Sequence, residues 1–242
     1  IECSAMSTTH LGETFDIHVA GQDLVFPHNE NEVAQSEAAT GDRFARYWLH
    51  TGLLETEGEK MSSSLMNYFA VEDAVAEFGT NVLRTFFLSA VYSARQTYSE
   101  AAIAEAEERF DRLERGYDAA VEAADSADAY ATVADDDLRA AVETARREFE
   151  AAMNDDLNTR EALAALGDLA GAVHQHVDDS AEYDYRGLGD AIEAFEQLGE
   201  GVFGLSFGGE PEGDARLAEG LVELVLEVRA DERERGNYDR AD

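Results

Sequence analysis

Thr14-Phe15-Asp16-Ile17-His18, followed by Gly21-Gln22-Asp23-Leu24-Val25-Phe26-Pro27-His28-Asn29-Glu30-Asn31-Glu32, carries the pattern of a strand, a turn and a helix. The first five residues alternate polar and apolar, and Leu24-Val25-Phe26 is a short apolar run bounded by Gly-Gln-Asp and Pro27. Both segments are expected to be strands. Pro27 suits the first turn of a helix, which is expected to run through His28 and Glu32 to about Ala39, with acids near its positive end. Downstream, Asp73–Phe78 and Asn81–Ser93 read as two more helices, split by Gly79-Thr80 as stop and cap.

Composition shifts near residue 98 and divides the chain into two expected domains: 1–98, aromatic and mixed, and 99–242, rich in alanine and glutamate. In the second part the apolar period is helical. Ile103, Phe110, Leu113, Tyr117 and Val121 form one stripe, and Leu138, Val142, Ala145 and Phe149 another. Leu163, Leu166, Val173 and Val177 make a third, and Leu217, Leu221, Leu224 and Val228 a fourth. Ser99 and Asn158 are the expected caps. A bundle of four or five helices buries such stripes against one another. Gly- and acid-rich 199–214 is expected to be an exposed connector.

The chain has 242 residues, with 53 Asp and Glu against 18 Lys and Arg, a formal charge of −35. That balance excludes a general basic field gripping a phosphate backbone or an anionic leaflet. Hydrophobic residues at 45% and aromatics at 9% exclude a charge-rich disordered chain. Lys60 is the sole lysine, and acids run along the whole sequence. This is the pattern of a salt-adapted surface, because in molar salt a Debye length of about 3 Å removes most self-repulsion. One cysteine, Cys3, rules out an internal disulfide and suits a reducing compartment. No apolar run reaches the roughly 18 residues of a membrane helix and no signal peptide is visible, so a cytoplasmic location is expected. The sequence starts Ile-Glu-Cys and stops in mid-pattern, and a fragment of a longer polypeptide is expected.

Cys3, His28 and Glu32 form a constellation with chemical content. His28 and Glu32, four apart on the expected helix, share a face, and Cys3 can sit at a strand end beside it. Zinc accepts sulfur, imidazole nitrogen and carboxylate oxygen together. Local pattern alone leaves the matter open. A His-x-x-x-Glu pair is more often a solvated surface pair, and a lone cysteine more often simply packs.

Further words extend the pattern: Ile1-Glu2-Cys3-Ser4-Ala5-Met6, Tyr47-Trp48-Leu49-His50-Thr51-Gly52, Glu59-Lys60-Met61-Ser62-Ser63-Ser64-Leu65 and Met153-Asn154-Asp155-Asp156-Leu157-Asn158-Thr159-Arg160-Glu161-Ala162. In this order, with the strand–turn–helix stretch, they resemble the cysteinyl-tRNA synthetase family of class I aminoacyl-tRNA synthetases. The resemblance spans most of the chain. It implies an α/β plus all-α fold: the carboxyl half of a Rossmann-type catalytic domain, 1–98, followed by a helical tRNA-binding bundle, 99–242, truncated at its end.

The resemblance further implies one zinc ion per subunit on Cys3, His28 and Glu32, its fourth ligand a cysteine in the half of the catalytic domain that precedes this chain. Substrate cysteine would bind that zinc through sulfur. The physics agrees, since a cationic metal deprotonates a thiol and prefers it to a hydroxyl. His18 matches the residue lining the amino-acid pocket; otherwise it is a satisfied strand histidine. Gly21 and Asp23 match the adenosine contact, with glycine for close backbone approach and a carboxylate for ribose hydroxyls. Lys60 and Ser63 fall in the signature loop that stabilises the pyrophosphate of ATP, bound with Mg2+. Ser63 stands where the family's second lysine is usual. His10-Leu11-Gly12-Glu13 imitates the other class I signature, His-Ile-Gly-His, but lies on the wrong side of the zinc motif.

The expected function is that of a cysteine–tRNA ligase, forming cysteinyl-adenylate from cysteine and ATP and transferring the acyl group to tRNA(Cys). The chain alone is expected to be inactive, and the protein monomeric and off the membrane. Arg109, Arg112, Arg115, Arg146, Arg147 and Arg160 are candidates for tRNA phosphates, although pairing with neighbouring acids accounts for most of them. At this charge, shape, stacking and direct hydrogen bonds outweigh diffuse attraction. Two alternatives share the zinc logic: a cysteine:amino-sugar ligase, which the well-populated helical part argues against, and a non-catalytic helical adaptor.

Overall fold

Parallel strands need a crossover, and the chain supplies one: β1 (Phe15–Gly21) pairs in parallel with β2 (Ala45–Thr51) through helix α2 (Glu30–Thr40). His18 lies opposite Trp48, and Ala20 opposite His50. In this computed structural model residues 1–56, 59–60, 70–130 and 133–208 are described, and their helices and strands lie within the compact unit Ile1–Leu205.

Helix α1 (Glu2–Leu11) precedes the crossover and carries Cys3 in its first turn, in a helix and not at a strand end. Glu2–Leu11 lacks the alternation of a strand. The Thr8 and Thr9 hydroxyls donate back to the carbonyls of Ser4 and Ala5, at 2.8 and 2.7 Å. Buried Ser4 donates to Gln35 Oε1 at 3.1 Å, which docks α1 on α2.

Leu24-Val25-Phe26 forms turns instead of a strand. The run is too short to be buried, and Phe26 remains 78% exposed. Regular helix begins at Glu30, later than Pro27. Phe26 is extended (φ −131, ψ 133), as steric clash with a following proline demands, and Val25–Asn29 is a wide turn.

Beyond β2, β3 (Leu54–Thr56) pairs antiparallel with β4 (Glu59–Lys60) and parallel with β5 (Gln96–Tyr98). Helices α3 (Val71–Phe78) and α4 (Thr80–Leu88) lie between them in sequence, separated at Gly79. Helix α4 stops five residues short of Ser93 because the Ser89 hydroxyl and N–H turn back onto Thr85 O. The chain then reverses, so that Gly52 N–H donates to Tyr92 O and β5 reaches β3.

The bundle comprises α5 (Glu100–Ser126), α6 (Asp136–Asn154), α7 (Thr159–Asp179) and α8 (Tyr185–Ala194). Ser99 caps α5 and Asn158 caps α7 through side-chain oxygens. Ile103, Phe110, Leu113, Leu138, Val142, Ala145, Phe149, Leu163, Leu166 and Val173 are buried. Tyr117, Val121 and Val177 are half-buried. Gly116 lets α5 meet α7 closely, since a Cβ there would stand 2.5 Å from Ala170 Cβ.

Helix α8 was not foreseen, and it buries Leu188, Ala191 and Ala194. Of the expected exposed connector 199–214, residues 209–214 lie outside the described residues; in the described part Gly199, Phe203, Leu205 and Phe207 are buried, with the Phe203 ring 4.9 Å from that of Phe149. The apolar side chains of Phe203, Leu205 and Phe207 among the glycines outweigh the acidic composition. The stripe at Leu217, Leu221, Leu224 and Val228 lies outside the described residues. A cluster of Phe86, Ile103 and Ala106, ringed by Leu54, Phe78 and Tyr98, joins α4, α5 and the small sheet.

A polar clasp fastens α6, α7 and α8. Buried His176 accepts the Asp184 N–H on Nε2 at 3.1 Å, so its ring proton lies on Nδ1 and is donated to Asp135 Oδ2 at 2.6 Å. Asp184 is fully buried and takes a bidentate bond from Arg139 at 2.7 and 2.9 Å. Burial alone would push the Asp184 carboxyl up. Bonds from Arg139 and from the N–H groups of Asp135 and Gly187 overcome this and hold it at about 2.

Candidate active site with a metal-ligand set

Beside the parallel strands, three of the six histidines, His18, His28 and His50, lie around one buried carboxylate. Cys3 from α1, His28 from the turn and Glu32 from α2 offer ligand atoms that all lie within 4.8 Å of one another. Cys3 and His28 are exposed, whereas Glu32 is 3% exposed. His28 and Glu32 reach each other across the junction of turn and helix, Nε2 to Oε2 at 3.7 Å.

The Glu32 carboxylate is unevenly satisfied. Oε2 receives Asn29 Nδ2 at 2.9 Å and lies 3.2 Å from His18 Nε2. Oε1 is buried with no hydrogen-bond partner. Among the described residues no lysine or arginine pairs with this carboxylate. A buried carboxylate oxygen left without a hydrogen bond is unfavourable in a low dielectric, and a cation bound by sulfur, nitrogen and oxygen would resolve it. The donor set fits zinc.

His18 lies at this cluster, its ring stacked on Trp48 with centroids 4.3 Å apart and planes 14° from parallel. Trp48 in turn faces His50, 6.0 Å away and nearly parallel. Gly21 ends β1, and Asp23 follows in the next turn. Lys60 is placed only by its backbone, in β4 opposite Glu55. Ser63 lies outside the described residues.

Asn29 is the site residue that sequence reasoning passed over. It is 5% exposed and receives His50 Nε2 on Oδ1 at 3.3 Å while donating to Glu32. Its signal was its place between His28 and Glu32. For Trp48 and His50 the signal was two-residue spacing on one strand, which gives a shared face.

Among the six arginines, carboxylate pairing within 4 Å is found at Arg146 with Glu193 and at Arg147 with Glu148. Arg115 bonds Asp111 O, Arg109 bonds Ser89 Oγ and Arg112 bonds Gly167 O. Arg109, Arg112 and Arg160 share a cleft of roughly 310 Å³ between α5 and α7 with Glu161 and Asp168. No helix among the described residues is long and apolar enough to cross a membrane.

Residues 1–108 match the family described as tRNA synthetases class I (C) catalytic domain, and 148–208 match the DALR domain. The whole chain is 66% identical to the cysteine–tRNA ligase of Haloarcula marismortui, covering 49% of it. It is 58% identical over its whole length to that of Halobacterium salinarum, again covering 49%. The chain thus spans about half the length of the curated relatives it matches. Both organisms are halophilic archaea, in keeping with the acidic composition. Among solved structures, methionyl-tRNA synthetase of Mycobacterium tuberculosis in complex with methionyl-adenylate aligns with 78% of this chain and 42% of its own, at 20% identity and a TM-score of 0.60. A LeuRS from Agrobacterium radiobacter aligns with 76% of this chain and 25% of its own, at 17% identity and a TM-score of 0.59. These two establish the fold alone.

Proposed function

The chain belongs to the class I tRNA synthetases by its catalytic-domain and DALR segments and is homologous throughout to cysteine–tRNA ligases, and on that premise we propose that the full-length protein activates cysteine with ATP and transfers it to tRNA(Cys). The observation that carries the reading is the convergence of Cys3, His28 and Glu32 within 4.8 Å. When bound there, zinc supplies a soft cationic centre that selects a thiolate over a hydroxyl.

The chain's own groups have distinct tasks in this reading. Glu32 contributes buried negative charge to the ion, and His28 and Cys3 contribute neutral nitrogen and thiolate sulfur. His18, stacked on Trp48, forms a rigid wall of the cysteine pocket. Gly21 and Asp23 face adenosine, the glycine leaving the backbone open to close approach. The cysteine carboxylate attacks the α-phosphorus of ATP, and the bond to the bridging oxygen breaks to release pyrophosphate. Lys60 and Ser63, together with the Mg2+ that ATP carries, would stabilise the charge of that leaving group. The terminal adenosine of tRNA(Cys) then displaces AMP from the carbonyl carbon. Arg109, Arg112 and Arg160 are the arginines best placed to meet tRNA phosphates, since they share one cleft and none holds a carboxylate within 4 Å among the described residues.

The experiment compares full-length wild type with Cys3→Ala and His28→Ala. Both variants should lose bound zinc and lose cysteine-dependent ATP–pyrophosphate exchange by at least a hundredfold. A zinc-free variant exchanging at the wild-type rate would refute the role of the metal.

A further inference from the structure

Asn29 stands at the N-cap of α2, where an asparagine ordinarily turns its side-chain oxygen onto a backbone N–H of the first turn. It makes no such bond. Its backbone is helical (φ −66, ψ −38) and its carboxamide is turned inward. Oδ1 can only accept and is met by His50 Nε2 at 3.3 Å, while Nδ2 donates to Glu32 Oε2 at 2.9 Å. The side chain has given up a stabilising cap to bridge β2 to a buried carboxylate.

The bridge has a directional consequence. Asn29, His18 and His28 all approach Glu32 Oε2, at 2.9, 3.2 and 3.7 Å, and nothing among the described residues donates to buried Oε1. A carboxylate whose plane is already fixed by a donor loses little rotamer freedom when a cation arrives. We propose that Asn29, backed by His50, is a positioning residue that holds Glu32 as a pre-oriented metal ligand. This rests on the metal reading above and adds to it the residue that orders the buried ligand. Asn29 itself touches neither ion nor substrate.

The Asn29→Asp variant keeps the shape of the side chain and the acceptor for His50 but removes the donor and sets a like charge beside Glu32. Asn29→Leu removes both bonds while keeping the branched outline of the side chain. Zinc affinity of the full-length protein is measured by chelator competition, cobalt(II) absorption reports the ligand field, and unfolding of the metal-free protein reports stability. Both variants should bind zinc about 10- to 100-fold more weakly, with an altered cobalt spectrum; the metal-free protein should unfold somewhat more easily in each, and more so in Asn29→Asp, which buries a second carboxylate, so affinity is compared under conditions where the metal-free fold persists. His50→Phe, which removes only the outer bond, should weaken zinc less, in the same direction. Wild-type zinc affinity in Asn29→Asp and Asn29→Leu, beside a wild type that binds zinc, overturns the positioning role and leaves the metal reading intact. A full-length wild type that binds no zinc overturns both.

Discussion

A Cβ built on Gly21 would meet Asp23 Oδ1 at 2.6 Å, so the absence of a side chain at the end of β1 is what lets the Asp23 carboxylate lie back over the strand. The obstructing atom is the end of a side chain and can swing away, so Gly21→Ala should leave stability within about 0.5 kcal/mol of wild type. It should displace Asp23, and steady-state kinetics of the full-length protein should show KM for ATP rising severalfold with KM for cysteine unchanged. Unaltered ATP affinity would remove Gly21 and Asp23 from the nucleotide site. At this scale the readable residues were those with distinctive chemistry, Cys3, His28 and Glu32. Asn29 was not readable, because an asparagine before a helix is ordinarily a cap, and its partner His50 is distant in sequence.

Elements were legible where periodicity was long. The stripes on α5, α6 and α7 are buried largely as spaced, because each helix has more than four turns over which a wrong face would expose apolar surface. Short pieces obeyed their neighbours instead. Leu24-Val25-Phe26 became turn because the chain must pass from β1 into α2, and Glu2–Leu11 became helix with little amphipathic pattern to announce it. The clasp of α6, α7 and α8 was also hidden, since His176, Asp135 and Asp184 meet across separate helices. It carries a pH dependence. Asp184 is held at about 2 against an ordinary 3.8, so its contribution is present in full above about pH 4 and is lost as pH falls through 2. A shift of that size corresponds to something on the order of 2 kcal/mol. Asp184→Asn should therefore unfold at lower temperature near neutrality and show a shallower loss of stability between pH 4 and 2; equal acid slopes for variant and wild type would count against the clasp.

Across the whole molecule, the charge of −35 first argues against any polyanionic partner, and the fold limits that argument to the long-range field. Acids dominate the exterior, yet arginines free of carboxylate pairs meet in one cleft, and in concentrated salt only such local contacts persist. The strongest internal signal of function lies elsewhere, in a buried carboxylate with one oxygen lacking a hydrogen bond, beside a thiol and imidazoles. Zinc-edge X-ray absorption of the full-length protein, with and without cysteine, tests that claim most directly. Bound zinc with mixed sulfur, nitrogen and oxygen ligation should gain one sulfur when cysteine is added and none when serine is added; zinc-free protein, or sulfur ligation unchanged by cysteine, would overturn the metal's role.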